Sequence, residues 1–223
     1  IKVLLVFMSA QQKIESLIIE GQYFGVIDSI ISLFKSTHIE IEQYETYPKS
    51  SFRNRMVLVG AAGPIEMSVP IIGGRSQKAL SKDVRIDHTS AWQKIHWRTV
   101  YSCYSRAPFY EYYADWLAGF YEKRYDFLLD MNMDILLWLK SLLKCQTQIS
   151  RTNSFQAEYP NTVIDRRDYW LPKNYRETAS TPVYTQVFSD RIGFVPNLSF
   201  LDALCCIGAP GIKQWLQDNK TIG

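Results

Sequence analysis

The apolar and polar pattern between positions 16 and 43 predicts a strand–helix–strand unit. Ser16–Ile19 is a short apolar run typical of a buried strand, and Gly21–Gly25 interrupts it. Val26–Phe34 places apolar residues at helical spacing, while His38–Gln43 alternates apolar and polar residues as a half-exposed strand does. Because two strands joined by a helix favour parallel pairing with a right-handed crossover, we expect a parallel strand pair here.

A hairpin and a short strand are predicted further along the chain. Phe52–Val59 has the composition of a strand, Gly60–Pro64 that of a turn, and Ile65–Val69 that of a returning strand. A polar loop is expected over Gly73–Ser81, followed by a short strand over Val84–Ile86.

Helical periodicity dominates most of the remaining chain. We expect five helices, at Ala91 to about Arg106, Phe109–Arg124, Asn132–Lys144, Leu198–Ile207 and Ile212–Asp218. Ser90 is the expected cap of the first of these helices and Pro108 its stop. Gly208–Gly211 separates the last two.

Two segments lack a clear pattern. Residues 145–182 are rich in polar residues and proline, which is typical of a functional lid or wrapping arm, or of a segment that hides short elements. Residues 1–12 are interpreted as a possible extra N-terminal segment. The apolar run Val3–Met8 is either an ordinary first strand or, for residues 1–7, a stretch that precedes a start at Met8.

These elements together predict an α/β fold. It combines an N-terminal strand–helix–strand unit and a mixed sheet with a helical C-terminal half. A length of 223 residues with 47% hydrophobic residues suits one domain over 1–223.

Composition and charge narrow the classes of function. With 25 basic and 22 acidic residues, the net charge of +3 gives no basic footprint for nucleic acid. No run approaches the ~20 apolar residues of a membrane span. The cysteines (103, 145, 205 and 206) and histidines (38, 88 and 96) match no zinc spacing, so we expect no metal. No nucleotide-binding glycine motif is present, and no cofactor is expected. A reducing, cytoplasmic compartment is the simplest expectation.

The segment Gln43–Arg55 concentrates polar chemistry. If Phe52–Val59 is a strand, Arg53 and Arg55 project to one face and Asn54 to the other. Two guanidinium groups with Lys49 nearby could bind a diphosphate or a carboxylate. The alternative is a charged, exposed sheet edge, which is common in proteins.

Other candidate residues lie on predicted helices. His96 shares a helix face with apolar residues, as a general base or a structural histidine would, and Arg98 points to another face. Asn197 and Asp202 flank a predicted helix start, where they could cap the helix or help it bind an anion.

An ordered set of motifs resembles the WbqC-like protein family. The motifs are Gln22-Tyr23-Phe24, IEQYETYPKSSFRNR (41–55), SVPIIGG (68–74), DVRI (83–86), AWQKIHWRTVYSCYSRAPFYEYY (91–113) and QVFSDRIGFVPNLSFLDAL (186–204). The chain looks most like a branch found in Bacteroidetes. It departs from the family pattern at Gly25-Val26, where a proline is common, and at Tyr44, where a histidine is common.

The resemblance implies a bacterial, cytoplasmic role in the biosynthesis of O-antigen or another surface polysaccharide. It suggests a transferase on a nucleotide- or lipid-linked amino sugar, with acyl or aminoacyl transfer as the reaction, or alternatively a non-catalytic binding or assembly protein of the same pathway. His96, Asn54 and Gln43 are the expected catalytic residues. The expected substrate-binding residues are Lys49, Arg53, Arg55, Arg98, Asn197 and Asp202. A small sugar substrate is the expected partner.

Overall fold

A computed structural model describes residues 16–74, 78–177 and 179–218. The possible extra segment over residues 1–12 lies outside these ranges. The α/β class is confirmed, with parallel strands, an antiparallel hairpin and a helical C-terminal half. The strands are β1 (Ser16–Glu20), β2 (His38–Glu42), β3 (Arg55–Gly60), β4 (Gly63–Ser68), β5 (Gln148–Arg151) and β6 (Val163–Asp165). The helices are α1 (Ile27–Lys35), α2 (Trp92–Tyr104), α3 (Glu111–Glu122), α4 (Leu128–Leu143), α5 (Ser189–Ile192) and α6 (Phe200–Gln217).

A four-stranded parallel sheet forms the centre of the N-terminal half. Its order is β5–β2–β1–β6, and every neighbouring pair is parallel. The predicted pair β1–β2 has Ser16 opposite His38 and Glu20 opposite Glu42. Because β1 is almost wholly buried, its continuous apolar run fits a strand that is covered on both faces.

Two of the four strands lie in the segment 145–182, which has no clear pattern of apolar and polar residues. The strand β5 adds to β2 and the strand β6 adds to β1, so this segment supplies both edges of the sheet. Each is only half-buried, which explains why neither shows a strong apolar run. The interpretation that the segment hides short elements is the one that the structure supports.

The strands β3 and β4 form a separate antiparallel hairpin, with Arg55 opposite Ser68 and Gly60 opposite Gly63. The strand β3 begins at Arg55, three residues later than predicted, and is buried, whereas β4 is largely exposed. Ser199 joins the hairpin to the start of α1. Its backbone N–H donates to Val57 O (2.9 Å), its hydroxyl accepts from Val57 N (2.8 Å), and it forms a bridge with Val26.

The C-terminal half is helical, as predicted. The two closing helices expected from the sequence are continuous as α6 except at Gly208, whose φ of 67° and ψ of 175° break the helical path. The predicted strand over Val84–Ile86 is reduced to single bridges, from Arg85 to Phe127 and from Ile86 to Ile71. Ser90 does not cap α2, because the helix starts after Ala91 without a side-chain cap. None of the helices in the described ranges is long and apolar enough to cross a bilayer.

Candidate functional site

A cleft beside the first residue of β3 brings together Lys49, Asn54 and Arg55, three of the residues predicted from the sequence. Its volume is about 230 Å³. The remaining lining residues are Tyr47, Ser50, Ser68, Val69, Pro70, Ile71 and Gly74. Lys49 is exposed and Arg55 half-buried, so both cationic side chains are available to an anion that enters from solvent.

The open end of the hairpin is held by Asn54. Its side-chain amide donates to Val69 O (2.8 Å), and its backbone carbonyl accepts from Val69 N (2.8 Å). These bonds fix the two chain segments that form the walls of the cleft, and they place Arg55 directly across from Ser68. The side-chain amide of Asn54 is therefore already engaged, and its carbonyl oxygen is the part that remains for a ligand.

His96 lies behind this cleft. The side chain is only 5% exposed, and its Nδ1 is 2.9 Å from the hydroxyl of Tyr23, which in turn is 2.8 Å from that of Tyr121. The ring of Trp92 packs edge-on against it. Burial lowers the pKa of His96 to about 4, while a backbone interaction with Ser68 acts in the opposite sense. The imidazole is therefore neutral at physiological pH.

Arg53 does not share a face with Arg55, contrary to the expectation for a strand over Phe52–Val59. It precedes β3, is 2% exposed, and turns into the protein. Its guanidinium bonds Glu45 through Nε (3.0 Å) and Nη2, and Asp168 through Nη1 (2.7 Å). Nη2 also lies 3.9 Å from Glu20. Its predicted role in substrate binding remains a prediction, but these partners give it a structural one.

Gln43 and Arg98 lie apart from the lining of the cleft. Gln43 follows β2, where its side chain donates to Thr152 O (2.6 Å) and so fastens β2 to the chain after β5. Arg98 is exposed on α2. Their predicted roles in catalysis and substrate binding stay predictions.

Asn197 and Asp202 are both fully buried. Asn197, at a φ of 52°, accepts from the backbone N–H of Asp28 (2.9 Å) in the first turn of α1 and donates to Tyr175 O (2.6 Å). It therefore caps a helix, although a different one from the helix expected.

The Asp202 carboxylate accepts hydrogen bonds from neutral donors, namely the hydroxyls of Tyr104 (2.9 Å) and Tyr184 and the amide of Gln186 (3.1 Å). Burial raises its pKa, and these donors oppose that rise. Since the first residues of α6 are fully buried, an anion in solvent does not reach this helix start in the described conformation.

A group of carboxylates at the carboxyl ends of the parallel strands was missed in the sequence. Glu20 ends β1, Glu42 ends β2, and Glu45 and Asp168 approach from loops to contact Arg53. Glu20 and Glu42 are 2% and 0% exposed. The sequence does contain an indication of this group. Glu20 and Glu42 are acidic residues that end apolar strands, at the edge where parallel sheets bind ligands.

Across residues 16–74, 78–177 and 179–218, no three or more His, Cys, Asp or Glu side chains are arranged to hold a metal ion. Burial raises the pKa of Cys103 to about 11 and that of Cys206 to about 12, so both are thiols at neutral pH. These cysteines are therefore poor nucleophiles in this conformation.

Comparison with known proteins adds one finding. The model of the WbqC-like protein family matches residues 32–169, which is more than half of the chain. No curated protein and no solved structure matches the chain significantly. The matched range contains the cleft residues Lys49, Asn54 and Arg55, the buried His96, and the carboxylates of Glu42, Glu45 and Asp168. The chain belongs to the WbqC-like protein family.

Proposed function

We propose that this protein is a transferase of surface polysaccharide biosynthesis that acts on an activated amino sugar. Membership in the WbqC-like family, which is associated with polysaccharide biosynthesis, supports the pathway. The observation that carries the proposal is the cleft in which Lys49 and Arg55 converge with Asn54. Acyl or aminoacyl transfer to the amine of the sugar is the proposed reaction.

The cleft suits the anionic end of such a substrate. A guanidinium binds two oxygens of a phosphate or carboxylate at once, whereas a lysine ammonium acts as a point charge, so Arg55 would orient the group and Lys49 would add attraction. A volume of about 230 Å³ is close to that of a small phosphorylated or carboxylated group and well below that of a whole nucleotide sugar. The remainder of the substrate would therefore extend over the open rim of the cleft.

In the proposed reaction, the amine nitrogen attacks the carbonyl carbon of the acyl donor. A carbon–nitrogen bond forms, the bond from that carbon to the leaving oxygen or sulfur breaks, and the amine loses a proton. Asn54 and Gln43 are the proposed contacts to polar groups of the substrate, Asn54 through its carbonyl oxygen and Gln43 from outside the cleft lining. Stabilising the developing oxyanion would require either side-chain amide to leave its present backbone acceptor. His96 is the proposed proton acceptor, and because it is buried behind the cleft, this role requires a movement that exposes the ring.

A non-catalytic binding or assembly protein of the same pathway is the second candidate. The closed environment of His96 favours it, and so do large apolar side chains left exposed on two neighbouring helices. Ile95 and Tyr101 on α2 are 59% and 55% exposed, and Tyr112 on α3 is 78% exposed. This function predicts binding of the sugar or of a partner enzyme without turnover.

A transfer assay followed by mass spectrometry separates the two candidates. Purified protein is incubated with amino-sugar phosphates and nucleotide amino sugars, together with acyl and aminoacyl thioesters or esters. The expected result is a product heavier by the acyl group, formed at least 100-fold more slowly by Arg55→Ala and at the wild-type rate by Arg124→Ala. The second variant is the matched control, because Arg124 is an exposed arginine outside the cleft lining and has no proposed role in binding.

Binding of a sugar phosphate without any mass change, over the whole donor panel, would favour the assembly protein over the transferase. Equal loss of transfer in Arg55→Ala and Arg124→Ala would contradict a binding site in the cleft.

A further inference from the structure

A second, much smaller cavity lies beside the cleft, at the carboxyl ends of β1 and β2. Its volume is about 10 Å³, close to the space that one water-sized group occupies. Gly21, Glu42, Tyr47, Arg53, Ser81, Leu128, Leu129 and Asn132 line it. Tyr47 also lines the cleft of Lys49 and Arg55, so the two spaces share this residue.

Two buried oxygen atoms at this cavity accept no hydrogen bond from any residue in the described part of the chain: Glu42 Oε2 and Asn132 Oδ1. Glu42 is 0% and Asn132 2% exposed. The assignment of the amide of Asn132 is secure, because its nitrogen donates to two carbonyls, Gly21 O (3.0 Å) and Arg53 O (2.8 Å). Buried hydrogen-bond acceptors without a donor are unfavourable. A ligand with several N–H or O–H groups would supply the donors that these two oxygen atoms lack.

The charge around the cavity favours a cationic ligand over a neutral one. Two groups of ion pairs lie there, one centred on Arg53 and one on Arg167, and each includes one residue of the cavity lining. Together they hold five carboxylates and two guanidinium groups, an excess of three negative charges when all are ionised. The carboxylates are Glu20, Glu42, Glu45, Asp165 and Asp168, and the guanidiniums are Arg53 and Arg167. Burial raises the pKa of Glu45 to about 7, and even with Glu45 protonated the excess is two.

Arg167 does not neutralise Glu42 by itself. Its Nη1 lies 3.7 Å from Glu42 Oε2, while its Nε and Nη2 bond Asp165. The other oxygen of Glu42 is used, since Oε1 accepts from Tyr44 N (2.7 Å) and from the hydroxyl of Thr152 (3.2 Å). Glu42 Oε2 therefore has an ion pair with Arg167 but no hydrogen-bond donor in the described part of the chain.

We infer that this cavity binds a primary ammonium group, and that the full substrate carries this group close to the anion held by Lys49 and Arg55. Glu42 and Asn132 accept its N–H bonds. An ammonium group has the size of a water molecule, carries three donors and brings a positive charge to an anionic network. Rotation of the Tyr47 ring joins the cavity to the cleft. The inference rests on the proposed function for its link to an amino sugar, but the cavity itself is independent of that link.

Isothermal titration with a matched pair of ligands tests the link. Hexosamine 1-phosphate and its N-acetylated form differ only in the charge and size of the amine group. Wild type is expected to bind the free amine at least tenfold more tightly. Glu42→Gln is expected to bind both forms within threefold of each other, because the substitution removes the negative charge that attracts the ammonium group. Glu40→Gln, on the same strand and outside the cavity lining, is the control that should keep the preference.

Ammonium alone tests the cavity without the cleft. Thermal unfolding is measured in ammonium chloride and in tetramethylammonium chloride at equal ionic strength, for wild type and Glu42→Gln. A higher midpoint in ammonium for wild type only supports the inference. Equal midpoints in the two salts would mean that the cavity holds a water molecule only, and would overturn it.

The two proposals fail differently. If both hexosamine phosphates bind equally and Arg55→Ala weakens both, the anion cleft stands and the ammonium inference is wrong. If neither sugar phosphate binds but ammonium stabilises the wild type selectively, the proposed function is wrong and the inference that the cavity binds an ammonium group is supported.

Discussion

At the residue scale, His96 shows how burial changes the charge of a titratable side chain. Its ring packs between Trp92 and Tyr23 and is hydrogen-bonded to the Tyr23 hydroxyl. A charged imidazole there would lose hydration without gaining a carboxylate partner, which is why its pKa falls to about 4. The folded protein therefore prefers the neutral ring, while the unfolded chain keeps an ordinary histidine.

Stability should consequently depend on pH through this residue. Between about pH 6.5 and 4 the unfolded chain binds a proton at His96 that the folded protein does not. The contribution of His96 to the free energy of unfolding is therefore complete above pH 6.5 and is lost as the pH falls towards 4. Between pH 7 and 4, the free energy of unfolding should fall by about 3 kcal/mol less in a His96→Gln variant than in the wild type. Urea unfolding across that range measures the difference.

A matched control for this experiment is His88→Gln, since His88 is half-buried and its Nε2–H donates to Tyr125 O (2.8 Å). A constant difference between wild type and His96→Gln at all pH values would contradict the account. It would mean that His96 titrates alike in the folded and unfolded states.

The residues Arg53 and Arg55 show what the sequence reveals at this scale. Both were identified as anion-binding candidates from their spacing, and only Arg55 lines the cleft. The deciding factor is where β3 begins. The backbone N–H of Tyr23 donates to Phe52 O (2.9 Å), which turns the chain before the strand and sends Arg53 towards Glu20 and Glu45. A contact between residues so far apart in the chain cannot be predicted from the sequence around Arg53.

At the element scale, α6 depends on one glycine. Gly208 has a φ of 67° and a ψ of 175°, a conformation that side chains disfavour, and a Cβ there would lie 2.5 Å from the ring of Phe109. The kink lets the second part of the helix bring Ala209, whose N–H donates to the hydroxyl of Tyr113 (2.9 Å), against α3. The turn predicted from Gly208–Gly211 is thus a kink within one helix.

Gly193 supplies a matched comparison for a substitution at Gly208. It has nearly the same backbone angles, a φ of 76° and a ψ of −177°, but a Cβ there would meet nothing within 4 Å. Gly193→Ala should cost about 1–3 kcal/mol of unfolding free energy from backbone strain alone. Gly208→Ala should cost about 1–3 kcal/mol more, because the Phe109 ring has to move. Chemical denaturation of both variants measures this.

Equal destabilisation by the two substitutions would contradict this explanation. It would show that Phe109 yields without cost and that backbone strain accounts for the whole effect.

The elements that the sequence predicted are those with strong periodicity. The pair β1–β2 with α1, the hairpin β3–β4 and the helices α2, α3 and α4 were expected, with ends shifted by a few residues, and α6 was expected as two helices. The strands β5 and β6 were not. They have four and three residues and lie half-buried at the edges of the sheet, so pairing with β2 and β1 stabilises them more than their own composition does.

At the scale of the whole molecule, the cleft and the small cavity lie side by side with opposite charge. The cleft presents Lys49 and Arg55, while the cavity presents Glu42 within a network that has an excess of carboxylates. A parallel sheet commonly places its ligand at the carboxyl ends of its strands, and Glu20 and Glu42 end two of them here. The hairpin adds the cationic side, so the proposed site uses both sheets.

The candidate site could be predicted from sequence only in part. Lys49, Asn54 and Arg55 are close in the chain and stay close in the fold. The carboxylates come from three separate segments, around residues 20, 42–45 and 165–168, and only the parallel pairing of β1, β2 and β6 brings them together. Sequence spacing carries no information on that convergence.

The proposal that the cleft of Lys49 and Arg55 binds an anionic amino sugar is best tested by thermal unfolding. The midpoint is measured with each member of a panel of sugar phosphates, nucleotide sugars, free nucleotides and acyl donors. A ligand present at 100 times its dissociation constant should add about 2.7 kcal/mol, a rise in midpoint of roughly 2–4 °C per kcal/mol for a chain of this size. We expect a selective rise in the midpoint with an anionic amino sugar, kept in Arg124→Ala and lost in Arg55→Ala. A flat response across the panel, or a rise that survives in Arg55→Ala, would contradict it.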